Sequence, residues 1–176
     1  MTTEQNKVLE ALQIAIQMEI DGEKYYLEAS KQSTNEVGRK LLRSLADEED
    51  IHQKKFREIY EAIRNKRAWP TTDFRPDSGK RVRAVFARTC GAVGVNVSGV
   101  ATDFAAIETA VGKEKESYDF YHRRSEKAVY DAERAFYDMV AAEEREHELV
   151  LLDYYEYLTN PAGWFVKKEH HSLNGG

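Results

Sequence analysis

The feature that most constrains this chain is a repeat in the placement of its polar residues. Glu144 and His147 lie three residues apart in Ala141-Ala142-Glu143-Glu144-Arg145-Glu146-His147, and Glu49 and His52 repeat the pair in Ala46-Asp47-Glu48-Glu49-Asp50-Ile51-His52, 95 residues upstream. The same offset carries Ala15 onto Ala110, Glu19 onto Glu114, Tyr26 onto Tyr121, Ser30 onto Ser125, Arg39 onto Arg134 and Tyr60 onto Tyr155. Each half therefore orders a Glu, a Tyr seven residues later, a second Glu thirty residues after the first, and then the His. A chain duplicated in this way folds as two equivalent halves, and a Glu/His pair at i,i+3 presents both side chains on one side of a helix.

Each half reads as two amphipathic helices. Val8, Leu12, Ala15, Glu19, Gly22, Tyr26 and Ala29 alternate steps of four and three, and Leu42, Leu45, Glu49, His52, Phe56, Ile59 and Ile63 step likewise in a second helix. Thr3 is a candidate N-cap, and Ser33-Thr34-Asn35-Glu36 reads as a tight connection. The second helix is expected to reach about Arg67, before Trp69-Pro70, because a residue preceding proline avoids the helical region. In the second half Thr102-Asp103 opens a helix carrying Ile107, Ala110, Glu114, Tyr118, Tyr121 and Ser125. After a turn near residues 127–130, a fourth helix carries Tyr137, Val140, Glu144, His147, Leu151, Tyr154 and Leu158. The expected fold is all-α: an antiparallel four-helix bundle over residues 1–158, made of two duplicated helical hairpins (4–67 and 102–158) joined by a long crossover (68–101). Residues 159–176 form a C-terminal tail outside the duplication, expected to dock Trp164 and Phe165 on the bundle. Within the crossover Pro76-Asp77-Ser78-Gly79 is turn-like, residues 80–89 suit a short helix, and residues 91–99 show no period.

Charge and cysteine content narrow the chemistry. Twenty-six Lys and Arg against 31 Asp and Glu give a net charge of −5 with both signs mixed, so no basic surface argues for nucleic acid or an anionic membrane. The first residues lack the apolar core of a signal peptide, and no run approaches the roughly 20 apolar residues of a membrane span, which points to the cytoplasm. Cys90 is the one cysteine, so this chain builds neither an internal disulfide nor a four-cysteine metal centre, and Cys90 reads as a passive thiol.

Four apolar stripes that each contain a Glu bring four carboxylates to one interior. Unpaired, each would cost several kcal/mol against a total stability of roughly 5–15 kcal/mol. Two divalent cations would balance four negative charges. Protonation or Lys and Arg partners would serve the same end, but the stripes hold no Lys or Arg near these positions. Imidazole with carboxylate suits iron, manganese or zinc. Glu48, Glu143 and Glu146 point off the stripes and are expected in solvent; His122 is expected on the flank, and His170-His171 lies in the tail.

A Glu from each of two helices plus Glu-x-x-His from the other two resembles the carboxylate di-iron site of ferritin-like proteins. Over residues 8–63 and 103–158, notably Met18-Glu19-Ile20-Asp21-Gly22-Glu23-Lys24-Tyr25-Tyr26 and Lys113-Glu114-Lys115-Glu116-Ser117-Tyr118-Asp119-Phe120-Tyr121, the chain resembles the rubrerythrin branch of that superfamily. The resemblance implies two iron ions, manganese or a mixed pair being served by the same residues. Glu19 and Glu114 would be terminal ligands, Glu49 and Glu144 bridging ligands, and His52 and His147 one nitrogen ligand per metal. Tyr26 and Tyr121 resemble the tyrosines that orient such carboxylates, and read equally as core aromatics with a buried hydroxyl. The chain departs from complete rubrerythrins in lacking the four cysteines of their rubredoxin-like centre and in having Gly22 and Ser117, with no carboxylate one turn beyond Glu19 or Glu114. The implied activity is a peroxidase or oxidase acting on hydrogen peroxide or dioxygen, with electrons from an external donor such as a rubredoxin. Iron storage through a ferroxidase reaction is one alternative and a metal-free interaction bundle another. A homodimer, with hairpins exchanged through the long connection, is compatible with the sequence.

Overall fold

The computed structural model describes residues 3–65, 68–71 and 74–173, and every regular element among them is a helix. α1 (Thr3–Gln32) and α2 (Glu36–Arg64) form the first hairpin; α4 (Ala101–Glu126) and α5 (Asp131–Thr159) form the second. The first turn follows from local chemistry. Asn35 is extended (φ −127°, ψ 158°) and its Oδ1 accepts the Gly38 N–H at 2.9 Å, satisfying one of the free donors at the start of α2. Gly38 must be small, since a Cβ would stand 2.2 Å from Ser33 Oγ and 2.3 Å from the Tyr154 hydroxyl. The duplication extends to the turns: Arg39 donates to the Ser33 carbonyl and, 95 residues on, Arg134 donates to the Ala128 carbonyl, both at 3.1 Å.

The core has two apolar parts. Leu12, Phe56, Ile59, Tyr121, Phe136 and Val140 belong to one, and Tyr26, Leu41, Leu45, Ile107, Leu151 and Tyr157 to the other. Glu19 on α1, and Glu49 and His52 on α2, fall between their own helix's contributions to the two parts. The acids and histidines thus form a polar layer with apolar packing on both sides, each buried large side chain there contributing about 1.5–3 kcal/mol.

Asp103 ties the two hairpins together. It accepts the Val100 N–H at 3.2 Å at the start of its own helix, and reaches across to the Thr34 N–H at 3.1 Å, the Thr34 hydroxyl and the Ser33 hydroxyl. Burial raises its pKa, but these donors outweigh burial and hold the carboxyl below its usual range. Asp103→Ala is expected to cost about 1–3 kcal/mol, the scale of buried donors left without an acceptor. Because the folded-state pKa lies below the unfolded one, the carboxylate's contribution is complete above the unfolded pKa and is lost as pH falls through the folded one. Thermal denaturation of both proteins across that range checks this: the gap between them should narrow toward acid.

Two segments correct the expectations from sequence. The crossover holds the helix expected from residue 80, but α3 (Lys80–Val93) runs a full turn beyond residue 89, into the stretch read as without period, and packs on α2 and α5. Asp77 starts it by accepting the Lys80 and Arg81 N–H groups at 3.0 Å, and Gly94, at φ 68°, ends it in the left-handed region that glycine tolerates. The tail is a helix too, α6 (Pro161–Leu173), with Asn160 Oδ1 accepting the Gly163 N–H at 3.0 Å and Pro161 at its first position. Trp164 seats it, its Nε1 donating to Asp153 at 2.7 Å and its ring 5.6 Å from Phe86 and 5.2 Å from Tyr157. Phe165 lies 6.1 Å from Tyr157. Arg67, the side chain of Thr3 and the side chains of His170 and His171, on which expectations were placed, fall outside the described residues. Among those described, no helix is long and apolar enough to cross a membrane.

Candidate metal centre

All six residues singled out by the duplicated pattern are buried and meet in the polar layer. Donor atoms of Glu19, Glu49, His52 and Glu144 lie within 4.8 Å of one another, and so do those of Glu49, Glu114, Glu144 and His147. The 95-residue offset exchanges the two sets, and Glu49 and Glu144 belong to both. Each histidine aims Nδ1 at carboxylates from other helices, and His147 also faces Glu144 of its own helix. His52 Nδ1 stands 3.1 Å from Glu144 and 3.4 Å from Glu19; His147 Nδ1 stands 3.5 Å from Glu49 and 3.7 Å from both Glu114 and Glu144. The two imidazoles are nearly parallel, with centroids 5.8 Å apart.

Proximity here is not hydrogen bonding. Both nitrogens of His52 and of His147, both oxygens of Glu144, and one oxygen each of Glu19 and Glu49 lack an aligned partner. Buried polar atoms are nearly always paired, so acids and imidazoles that converge from five helical positions without aligned hydrogen bonds form a donor set able to hold a cation. Two imidazoles and four carboxylates, two of the carboxylates common to both sets, are donors of the kind that hold a metal.

In the metal-free protein, protons balance the buried acids. Burial lowers the pKa of His52, but Glu144 and Glu19 raise it well above the ordinary imidazole value; Glu114, Glu144 and Glu49 do the same for His147. Burial raises Glu49 strongly, with the charges of Glu144 and Glu19 adding to it, and pushes Glu114 up to about 8, with Glu144 adding. Glu144 goes the other way: burial opposes ionisation, yet its contacts with His147 and His52 hold it well below the carboxylate range.

Tyr26 and Tyr121 act across the molecule, which their position on the same helices as Glu19 and Glu114 did not disclose. The Tyr26 hydroxyl donates to Glu114, and the Tyr121 hydroxyl donates to Glu19. Each hairpin thus orients the unshared acid of the other, leaving that acid's second oxygen for the site. Burial, with the neighbouring carboxylates, keeps both phenols protonated.

Glu48 and Glu143 overturn the expectation of solvent exposure, since both are buried. The crossover covers them: Arg81 Nε donates to Glu48 at 2.8 Å, the Ser78 N–H donates to Glu143 at 2.7 Å, and Arg83 pairs with the half-buried Glu146. Phe74 packs edge-on against His52 at 5.9 Å. Donor atoms of Glu48, Glu143 and His147 also lie within 4.8 Å of one another, but Arg81 and Ser78 already serve these two acids, which marks them as supports behind the centre. The signal for them was available, because residues 48 and 143 are themselves related by the repeat. Glu148 was also missed; it is buried and pairs with Arg145. His122 lies on the flank, stacked on Tyr118 at 5.7 Å. Cys90 is buried, and burial pushes its thiol up to about 12.

A search of curated proteins and one of solved structures return no match. The family model described as Rubrerythrin matches residues 10–155, a span that covers most of both hairpins and all six residues of the centre. With the duplicated bundle and its buried carboxylate and histidine cluster, that match places the chain in the rubrerythrin family, a ferritin-like di-iron family.

Proposed function

We propose that the chain binds two iron ions and reduces hydrogen peroxide. One observation carries this reading: two exchangeable donor sets share Glu49 and Glu144, and their buried oxygens and nitrogens lack other partners. Glu19, Glu49, His52 and Glu144 would hold one ion, and Glu114, Glu144, His147 and Glu49 the other. When bound, such a pair supplies two electrons to an O–O bond. The protein's own part is positional. Tyr26 and Tyr121 fix the unshared acids, the two apolar clusters exclude bulk water, and α3 with Phe74 closes the side bearing the histidines. Electrons would come from a donor outside these residues, since a single cysteine cannot build a four-cysteine iron centre among them.

The test is anaerobic loading with ferrous iron followed by stopped-flow mixing with hydrogen peroxide or dioxygen. Oxidation at least about tenfold faster by peroxide, and reversible by added reductant, is the expected result. Oxidation once only, with further iron taken up, would instead assign the chain to iron handling.

A further inference from the structure

The charges that alternate along the sequence separate in the fold. Residues 74–100 hold five Lys and Arg against one Asp, a net charge of +4, which leaves −9 for the rest of a chain whose total is −5. α3 carries four of these cations, Lys80, Arg81, Arg83 and Arg88, and no acid, although the positive end of a helix disfavours cations in its first turn. The longer helices α1, α2, α4 and α5 each open on an acid. Arg81 and Arg83 are accounted for by Glu48 and Glu146. Lys80 and Arg88 are exposed, and among the described residues neither has an ion-pair partner.

An open groove runs between α3 and α2. Arg81 and Val85 line one side, and Arg39, Lys40, Arg43 and Asp47 the other, four cations against a single acid. Arg88, three residues beyond Val85, extends the row along α3. Lys40 and Arg43 are more than half exposed and pair with exposed acids on their own helix, Glu36 and Asp47, contacts weak enough for a docking carboxylate to replace. The floor of the groove leads inward. Arg81 Nε donates to Glu48 at 2.8 Å, and Glu48 has a donor atom within 4.8 Å of one on His147, so two side chains separate the groove from the centre.

We propose that this groove docks an acidic electron-carrying protein. Charge complementarity favours a compact acidic face, because the cations line one short groove while −9 over the rest of the chain repels an extended polyanion or an anionic membrane. The partner's role, though not the docking itself, rests on the peroxide-reducing reading above. Two carriers each give up one electron, and one hydrogen peroxide with two protons becomes two waters as the O–O bond breaks.

The probe is an acidic rubredoxin, titrated in its oxidised form into the apo-protein by calorimetry. Both proteins carry net negative charge, so binding requires a local basic face. The dissociation constant should rise at least about tenfold between about 20 mM and 300 mM salt. Lys40→Glu with Arg43→Glu should weaken binding at low salt at least about tenfold, and Arg88→Glu about threefold. Lys127→Glu should leave it unchanged, since Lys127 follows the end of α4 away from Asp103 and the first turn. Lys40→Gln with Arg43→Gln replaces the double reversal if that variant melts early, with an expected loss of about 3–10-fold. In a second arm, stopped-flow oxidation of reduced rubredoxin by the iron-loaded, peroxide-treated protein should rank the variants in the same order. No binding of rubredoxin, or binding that the reversals leave unchanged, overturns the docking face and leaves peroxide reduction standing. Tighter binding of a short DNA duplex or of phosphatidylglycerol vesicles, lost in the same variants, also overturns it. Salt-dependent rubredoxin binding that the reversals remove, in a protein whose irons do not react with peroxide, upholds the face and overturns peroxide reduction instead.

Discussion

Glu144→Ala should abolish tight binding at both metal positions, whereas Glu19→Ala should leave one. Glu144 belongs to both donor sets and touches both histidines, at 3.1 Å from His52 and 3.7 Å from His147. Glu19 belongs to one set only. Loss of a residue that merely supports a ligand weakens metal binding about 10–100-fold, so loss of a shared ligand should cost at least about 100-fold at each position. Anaerobic titration with ferrous iron, or with cobalt followed by its visible absorption, counts the ions directly. Two ions in wild type, one in Glu19→Ala and none in Glu144→Ala is the expected series. Equal loss in the two variants would refute the sharing of Glu144, and unchanged binding in both would remove the metal centre altogether.

Metal loading should raise the melting temperature by at least about 10 °C. Ligand at 100 times its dissociation constant stabilises by about 2.7 kcal/mol per site, and in a chain of this size each kcal/mol shifts melting by about 2–4 °C. The gain has a structural source, since in the apo-protein the buried oxygens of Glu144 and the imidazole nitrogens face one another without aligned partners. Differential scanning calorimetry of apo- and metal-loaded protein, then of loaded protein treated with chelator, measures the shift. A melting temperature indifferent to metal would mean that protons alone satisfy the layer, as they do in the metal-free interaction bundle.

The histidine side of the centre depends on the crossover more than its sequence discloses. Arg81, Ser78 and Arg83 engage three acids that flank Glu49, Glu144 and His147. The cation that no helical stripe supplied comes from a neighbouring segment, and it lands on the supporting acids and not on the six central residues.

Periodicity and repetition determined the bundle, its two hairpins and the meeting of Glu19, Glu49, His52, Glu114, Glu144 and His147, because residues three and four apart share a helix face wherever that helix packs. The start of α2 was equally readable, since capping by Asn35 is a local hydrogen bond. Contacts between elements were not readable in this way. That Tyr26 serves Glu114 and Tyr121 serves Glu19 follows from how the two hairpins face each other, a relation no spacing within one helix encodes. The burial of Glu48 and Glu143 was decided by α3, whose seat on α2 and α5 depends on Val82 and Phe86 filling the core at a distance of many residues. The tail became a helix through Asn160 and Pro161, which are local, but its place on the bundle came from Trp164 meeting Phe86 and Tyr157. Local hydrogen bonding and periodicity are written along the chain; which face covers which acid is set by packing between segments far apart in sequence, and only the tertiary structure decides it.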